Sequence, residues 1–225
     1  MQFIYLLIAL ALSSPTNSEY ISVNREVYDV KSLDVDSNMY YTILPYKSKL
    51  DAQMNAVICH STVEMSKKKP ESLLGNWTSD VCLEMAQDMY EDDIDLGFFN
   101  TGGLRSPIPQ GDITKRDLYK LMPFENELVV LELNKTEMLD LKAYFNLTGG
   151  QPVAFTDDFS LNDSLFLVLT TDYLANGGDK MKFFKYKTQH KVGIKMRDAL
   201  INYCIKKDSI SSNLDKRYLI LLDEN

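Results

Sequence analysis

An α+β fold with layered sheets is what this sequence predicts, and three observations carry the prediction. Short apolar runs of strand type recur, stretches of helical periodicity separate some of them, and the strict strand-helix-strand rhythm of a doubly wound sheet is missing. The runs IDLGFF (94–99), ELVVLEL (127–133) and LFLVLTT (165–171) are each bounded by glycine, proline, asparagine or aspartate, which marks them as buried strands.

In chain order, the first segment is MQFIYLLIALALSSPTNS, with an apolar core of about ten residues that is too short to span a bilayer. Ala11-Leu12-Ser13 supplies a small-x-small cleavage pattern, so residues 1–18 are expected to be a signal peptide and 19–225 a single exported domain, periplasmic or extracellular. YISVNREVYDV (20–30) carries weak strand signals, followed by a loop to Pro45. From Lys47, the positions Leu50, Met54, Val57 and Ile58 fall at helical spacing. A second helix is predicted from Ser72 to Tyr90, with Leu73, Leu74, Trp77, Val81, Met85 and Met89 on one stripe and the solvated turn KKKPES before it. IDLGFF ends in Asn100 and the Gly102-Gly103 turn. Thr114 with Asp117 reads as a capping box for the short helix DLYKLM, which Pro123 ends. After ELVVLEL, Asn134 or Thr136 caps the helix TEMLDLKAYF. LFLVLTT leads into the loop DYLANGGDK and the run KFFKYK; a last helix spans about 193–206, and YLILL closes as a strand.

A net charge of -8 and a pI near 4.8 argue against nucleic acid as a partner, because such a surface repels a phosphate backbone at long range. A single bound phosphate needs only a local cluster of cations and N–H groups. Cys59, Cys82 and Cys204 have no CxxC spacing and are expected to be small buried apolar residues, at least one of them a free thiol. His60 and His190 are too few to build a two-metal site, and the acidic run EDDID (91–95) is expected to solvate a helix end. Sequons start at Asn76, Asn134, Asn146 and Asn162, which matters only in a eukaryotic secretory pathway.

Two loops share a format of buried strand, asparagine, two glycines and a charged residue: FFNTGGLR and TTDYLANGGDK. Glycine at a strand end lets backbone approach a ligand closely, while Arg105 and Asp179 offer one cation and one anion to hold it. Together with PFENELVVLEL, in this order, the set resembles the C-terminal domain of the 5'-nucleotidase and UDP-sugar hydrolase family, a layered α/β/β/α fold. The matching elements are Asn100-Thr101-Gly102-Gly103-Leu104-Arg105, Gly111-Asp112-Ile113-Thr114, Pro123-Phe124, and Tyr173 with Asn176-Gly177-Gly178-Asp179; LGNWTSD matches the family's GN helix.

The resemblance implies a nucleotide-binding site. Phe124 and Tyr173 would sandwich the base, Asn100 would touch its edge, Asp179 would take the ribose hydroxyls and Arg105 the phosphate, with Gly102, Gly103, Gly177 and Gly178 shaping the loops. Lys68 stands where the family has an arginine before the GN helix, and Thr101 and Lys180 replace family glycines. On stacking alone, Tyr173→Phe is expected to be silent. Family hydrolysis uses a separate metallophosphatase domain with divalent metals and a GNH motif, which this chain lacks. No cofactor or catalytic residue is therefore expected here. The implied function is the substrate-recognition half of an exported 5'-nucleotidase in nucleotide catabolism, acting with a separately encoded metallophosphatase domain; a stand-alone nucleotide- or nucleoside-binding protein remains the alternative.

Overall fold

The computed structural model describes residues 34–222, so the expected signal peptide and the strand signals at 20–30 lie outside the described residues. The chain divides into two compact units, Met1–Leu44 and Pro45–Asn225. Helix α1 (Ser37–Met54) buries none of its residues.

The second unit is built on two sheets. A three-stranded sheet has the order β3-β1-β8, from Gly111–Thr114, Val57–Ser61 and Ser209–Ile210; β1 is antiparallel to β3 and parallel to β8. A five-stranded mixed sheet has the order β5-β2-β6-β4-β7, from Val153–Phe155, Leu96–Phe98, Leu165–Thr171, Glu127–Asn134 and His190–Lys195. Helices α2 (Leu73–Gln87), α3 (Lys115–Leu121), α4 (Lys135–Thr148), α5 (Asp172–Ala175), α6 (Met196–Lys206) and α7 (Tyr218–Leu222) complete the described residues. The α+β class read from the sequence holds.

Strand β4 shows how the larger sheet is buried on both faces. Leu128 and Val130 point into a core with α2, α3 and α6, while Val129, Leu131 and Leu133 point into a second core with α4. This alternation follows from the period of two along a strand. The first core also takes in Cys59, Ile113 and Ile210 of the smaller sheet, so helices α2 and α6 share apolar contacts with both sheets.

Some sequence expectations need correcting. Val57 and Ile58 do not continue the helix that precedes them: α1 ends at Met54, and both residues belong to β1, where backbone pairing with β3 and β8 outweighs the helical spacing. The helix also begins at Ser37, inside the stretch expected to be a loop, and contains Pro45. YLILL is helix α7, with Leu221 buried in the second core; five apolar residues suit a buried strand or one helical turn, and periodicity cannot separate them. His190–Lys195, half of it assigned to the last helix, is strand β7, paired to β4 with an irregular register between Glu127 and Val129.

Other local readings hold because the caps hold. Ser72 accepts from Gly75 N to start α2, and Thr114 and Asp117 form a reciprocal capping box on α3. Asn76, the first sequon asparagine, is buried on α2 and donates to Glu71 and to the Asn213 carbonyl, whereas Asn146 and Asn162 are exposed. Asn134, not Thr136, caps α4: its side chain accepts from Glu137 N at 3.1 Å and its own N–H donates to Glu137 Oε2 at 2.8 Å. Asn134→Ala removes the accepting half of this box and is expected to lower stability by about 1 kcal/mol, read as a shift in the urea unfolding midpoint at unchanged slope.

Candidate functional site

Sheet connectivity brings three distant segments to one edge. Strands β2 and β6 are adjacent and parallel, with Leu96 opposite Val168 and Gly97 opposite Leu169, so both leave the sheet on the same side. Strand β4 is antiparallel to β6, with Leu128 opposite Thr171, so β4 enters where β6 ends. The loop after β2 carries Asn100 to Arg105, the loop before β4 carries Phe124, and the loop after β6 carries Tyr173 to Asp179. Together they line a cleft of about 270 Å³, walled by Asn100, Gly102, Gly103, Arg105, Phe124, Asn126, Tyr173 and Asp179.

The two glycine loops touch directly. Asn100 Nδ2 donates to Asp179 Oδ2 at 2.5 Å, although the residues are 79 positions apart. Tyr173 Oη donates to the other Asp179 oxygen at 2.9 Å, and Tyr144 on α4 donates to the Asp179 carbonyl at 2.9 Å. Burial and the nearby Asp179 carboxylate push the Tyr144 phenol above its ordinary pKa, which keeps it protonated as a donor. Asp179 itself has left-handed backbone (φ 50°), which a short polar side chain tolerates better than most. Gly177, at φ 88°, starts that turn.

Two glycines stand where the chain approaches its neighbours closely. A Cβ on Gly103 would sit 2.9 Å from Asn100 Oδ1, and one on Gly178 would sit 2.5 Å from Cε1 of the Tyr173 ring and 2.6 Å from its carbonyl oxygen. The chain there packs backbone against the aromatic ring, which no larger residue permits. The first loop is closed from behind by Gln151, whose Oε1 accepts from Thr101 N at 2.8 Å and from its hydroxyl at 3.1 Å.

The rings are open to solvent, Phe124 being 40% and Tyr173 46% exposed. The Arg105 guanidinium lies 5.9 Å from the Phe124 ring centroid and donates to Gly102 O at 3.4 Å. Among the described residues Arg105 makes no ion pair, whereas Arg116, Arg197 and Arg217 each pair with a carboxylate.

Lys68 does not join this group. It lines a separate depression with Pro70, Gly75, Gln151 and Arg217, while its neighbour Lys67 reaches the first glycine loop and donates to Leu104 O at 2.8 Å. The role assigned to Lys68 from the resemblance has no contact with the cleft to rest on. His60 lies beside Asp112 at 3.2 Å on the smaller sheet, and His190 lies in β7 opposite Val130. Among the described residues no cluster of three or more His, Cys, Asp or Glu side chains is placed to hold a metal ion.

Sequence reading missed the residues that hold the site from outside. Asn126, two positions after Phe124, lines the cleft. Arg197 at the start of α6 is only 4% exposed and donates to the Phe124 and Met122 carbonyls at 3.3 and 3.4 Å. It also pairs with Glu125 and stacks over Tyr119 at 4.2 Å. Arg197 and then Lys195 hold the Glu125 carboxyl down to about 2. No local motif flags Arg197, which stands 73 residues from Phe124 in sequence. The Tyr173 ring was read as a stacking face, and its hydroxyl as the group that fixes Asp179 was missed.

With this geometry in hand, the likeness to known proteins is informative. Residues 56–139 match the sequence model described as 5'-nucleotidase, C-terminal domain. A 5'-nucleotidase of Vibrio cholerae is 29% identical over 136 residues, covering 59% of this chain and 24% of that protein. An apyrase of Tabanus yao is 24% identical over 212 residues, covering 74% of this chain and 38% of that protein. The crystal structure of a 5'-nucleotidase precursor from Thermus thermophilus superposes with a TM-score of 0.65 at 22% identity, covering 79% of this chain and 42% of that one. The Haemophilus influenzae NAD nucleotidase gives 0.56 at 17% identity, with 79% and 40% covered. The chain therefore spans about a quarter of the Vibrio relative and less than half of the other three.

Gly178→Ala is expected to displace the Tyr173 ring and break its bond to Asp179. An NMR shift of a labelled Tyr173 ring, together with a lower unfolding midpoint, checks it, and an unmoved ring contradicts it.

Proposed function

With residues 56–139 belonging to the 5'-nucleotidase C-terminal domain family, we propose that this chain is the nucleotide-recognition half of an exported 5'-nucleotidase, the phosphate-cleaving metal centre being supplied by a metallophosphatase domain outside these residues. The observation that carries this reading is the meeting of Asn100 and Asp179 beside two exposed rings and an unpaired arginine. Each group suits one part of a nucleotide. Exposed aromatic faces stack on a base, an amide reads its edge, a carboxylate accepts from a vicinal diol, and a guanidinium forks onto phosphate. The cleft, at about 270 Å³, is close to the roughly 300 Å³ at which small-molecule pockets usually begin, enough for a nucleoside with its phosphate projecting outward.

Roles follow from position. Phe124 and Tyr173 grip the base, Asn100 contacts its edge, Asp179 takes the ribose hydroxyls and Arg105 meets the phosphate. Asp179 is presented by Tyr173, Asn100 and Tyr144, so its carboxylate is oriented before any ligand arrives. Export and the metallophosphatase partner rest on the N-terminal apolar segment and on the architecture of the related proteins. Calorimetric titration with AMP, UDP-glucose and adenosine tests the reading: binding of at least one in the micromolar to millimolar range supports it, and no heat with any of them removes it.

Arg105→Ala is expected to weaken nucleotide binding by roughly 1.5 to 3 kcal/mol, the range for a charge-assisted contact, and nucleoside binding much less. Equal losses for both ligands would make Arg105 a loop-pinning residue.

Tyr173→Leu is expected to cost roughly 1 to 3 kcal/mol of affinity through lost stacking. The expectation that Tyr173→Phe is silent changes with the structure, because the missing hydroxyl frees one Asp179 oxygen. Tyr173→Phe is now expected to lose affinity for ribonucleosides but not for 2',3'-dideoxynucleosides, a comparison that calorimetry reads directly.

A further inference from the structure

We propose that Arg197 is the positioning residue for a stacking ring of the cleft: it sets the orientation of Phe124, and through it the affinity for a nucleobase, with Glu125 as its exposed counter-charge. The proposal rests on the nucleotide-binding reading above and names the side chain that controls one half of the base grip.

Residues 122–126 form no helix or strand, yet Phe124 and Asn126 both line the cleft from this segment. The first turn of α6 supplies its fixed points. Arg197 Nη1 donates to Met122 O at 3.4 Å and to Phe124 O at 3.3 Å, and Met196 N donates to Asn126 O at 2.9 Å. Arg197 Nη2 pairs with one Glu125 oxygen, Lys195 pairs with the other, and the guanidinium carbon lies 4.2 Å from the Tyr119 ring centroid. The exposed Phe124 ring therefore stands on a backbone held on both sides of it. Arg105, 5.9 Å from the same ring, donates its own N–H to Leu121 O at 2.8 Å, so a shift of residues 121–124 moves the stacking ring and the cationic loop together.

The chemistry asks for arginine. One group must reach two carbonyls and a carboxylate at once while its face rests on an aromatic ring, which a planar fork of five donors does and an ammonium does not. Burying a cation is costly, and an aliphatic side chain would fill the same space without that penalty. Arg197 is nevertheless only 4% exposed, and its donors fall on the backbone of the ring-bearing residue.

The test uses the full chain in two measurements on Arg197→Lys and Glu125→Gln, each alone and combined with Phe124→Leu. The Glu125 side chain is 61% exposed, so its amide variant keeps the test readable if Arg197→Lys fails to fold. Without ligand, amide hydrogen exchange read by mass spectrometry is expected to rise across residues 122–127 in both variants while α4 stays as protected as in the unsubstituted chain. Unchanged exchange at 122–127, or an equal rise in α4, overturns the proposal. Calorimetric titration with AMP is expected to show roughly tenfold weaker binding for Arg197→Lys, within the range that one stacked base is worth, and a smaller loss for Glu125→Gln. In the Phe124→Leu background the same substitutions should change affinity by less than about twofold, because their effect passes through the missing ring. Unchanged affinity in both single variants, or full additional losses in that background, overturns the proposal. An unsubstituted chain that binds none of AMP, adenosine and UDP-glucose removes the nucleotide reading and the affinity claim with it, whereas the exchange measurement still decides whether Arg197 positions the Phe124 segment.

Discussion

The parallel pairing of β2 with β6, with β4 running antiparallel on the other side of β6, is the constraint on which the cleft depends. Parallel neighbours release their C-terminal ends at the same edge, and an antiparallel strand begins there. Ladder hydrogen bonds thus bring Asn100, Phe124 and Asp179 together, before any side chain is considered. Thr170 reinforces the junction by donating to Phe98 O at 2.8 Å, which ties the end of β6 to the end of β2. A one-residue slip between these strands would turn the two glycine loops away from each other and swap the two apolar cores at once. The register is therefore specified by both cores, and the site inherits that precision.

Charge is distributed so that few groups are left for a ligand. Arg217 is committed to Asp80 and Asp215, Arg116 to Asp51, and Arg197 to Glu125. Arg105 has only a carbonyl at 3.4 Å and an aromatic face, so its guanidinium lines the cleft with no carboxylate among the described residues to satisfy it. Asp179 is the complement: its oxygens accept from an amide and a phenol and from no cation. A carboxylate with neutral donors keeps lone pairs for more hydroxyls.

What the sequence disclosed and what it hid divide along physical lines. The capping box at Thr114, a cap at Asn134 or Thr136, and the strands 127–133 and 165–171 were legible because each is decided within a few residues. Asn100, Arg105, Phe124, Tyr173 and Asp179 were legible because their loops carry a recognisable order of residues, and the structure gathers all five. Val57, Ile58 and residues 193–195 were misread because a strand at the edge of a helical pattern is decided by its partners in the sheet, which local spacing does not contain. Arg197 was invisible for the same reason: its importance lies in carbonyls that reach it from the Phe124 loop. Lys68 shows the opposite failure, a position assigned by resemblance whose neighbour, Lys67, is the one that meets the loop.

The two glycine loops solve the same problem with different amounts of strain. After β2, Thr101–Gly103 is a single 3-10 turn, and its closure by Gln151 leaves no non-glycine residue in left-handed backbone. After β6, Asp179 and Lys180 both adopt positive φ, at 50° and 68°, a conformation that costs of order 1 kcal/mol or more for each. Such backbone persists only where surrounding contacts over-determine it. Tyr144, Tyr173 and Asn100 supply those contacts, all three converging on Asp179. The strained residue is thus the one whose carboxylate faces the cleft, and the groups that hold it come from three separate elements. A carboxylate fixed in this way loses little freedom when a diol binds, which is the condition for a small, open cleft to hold a ligand at all.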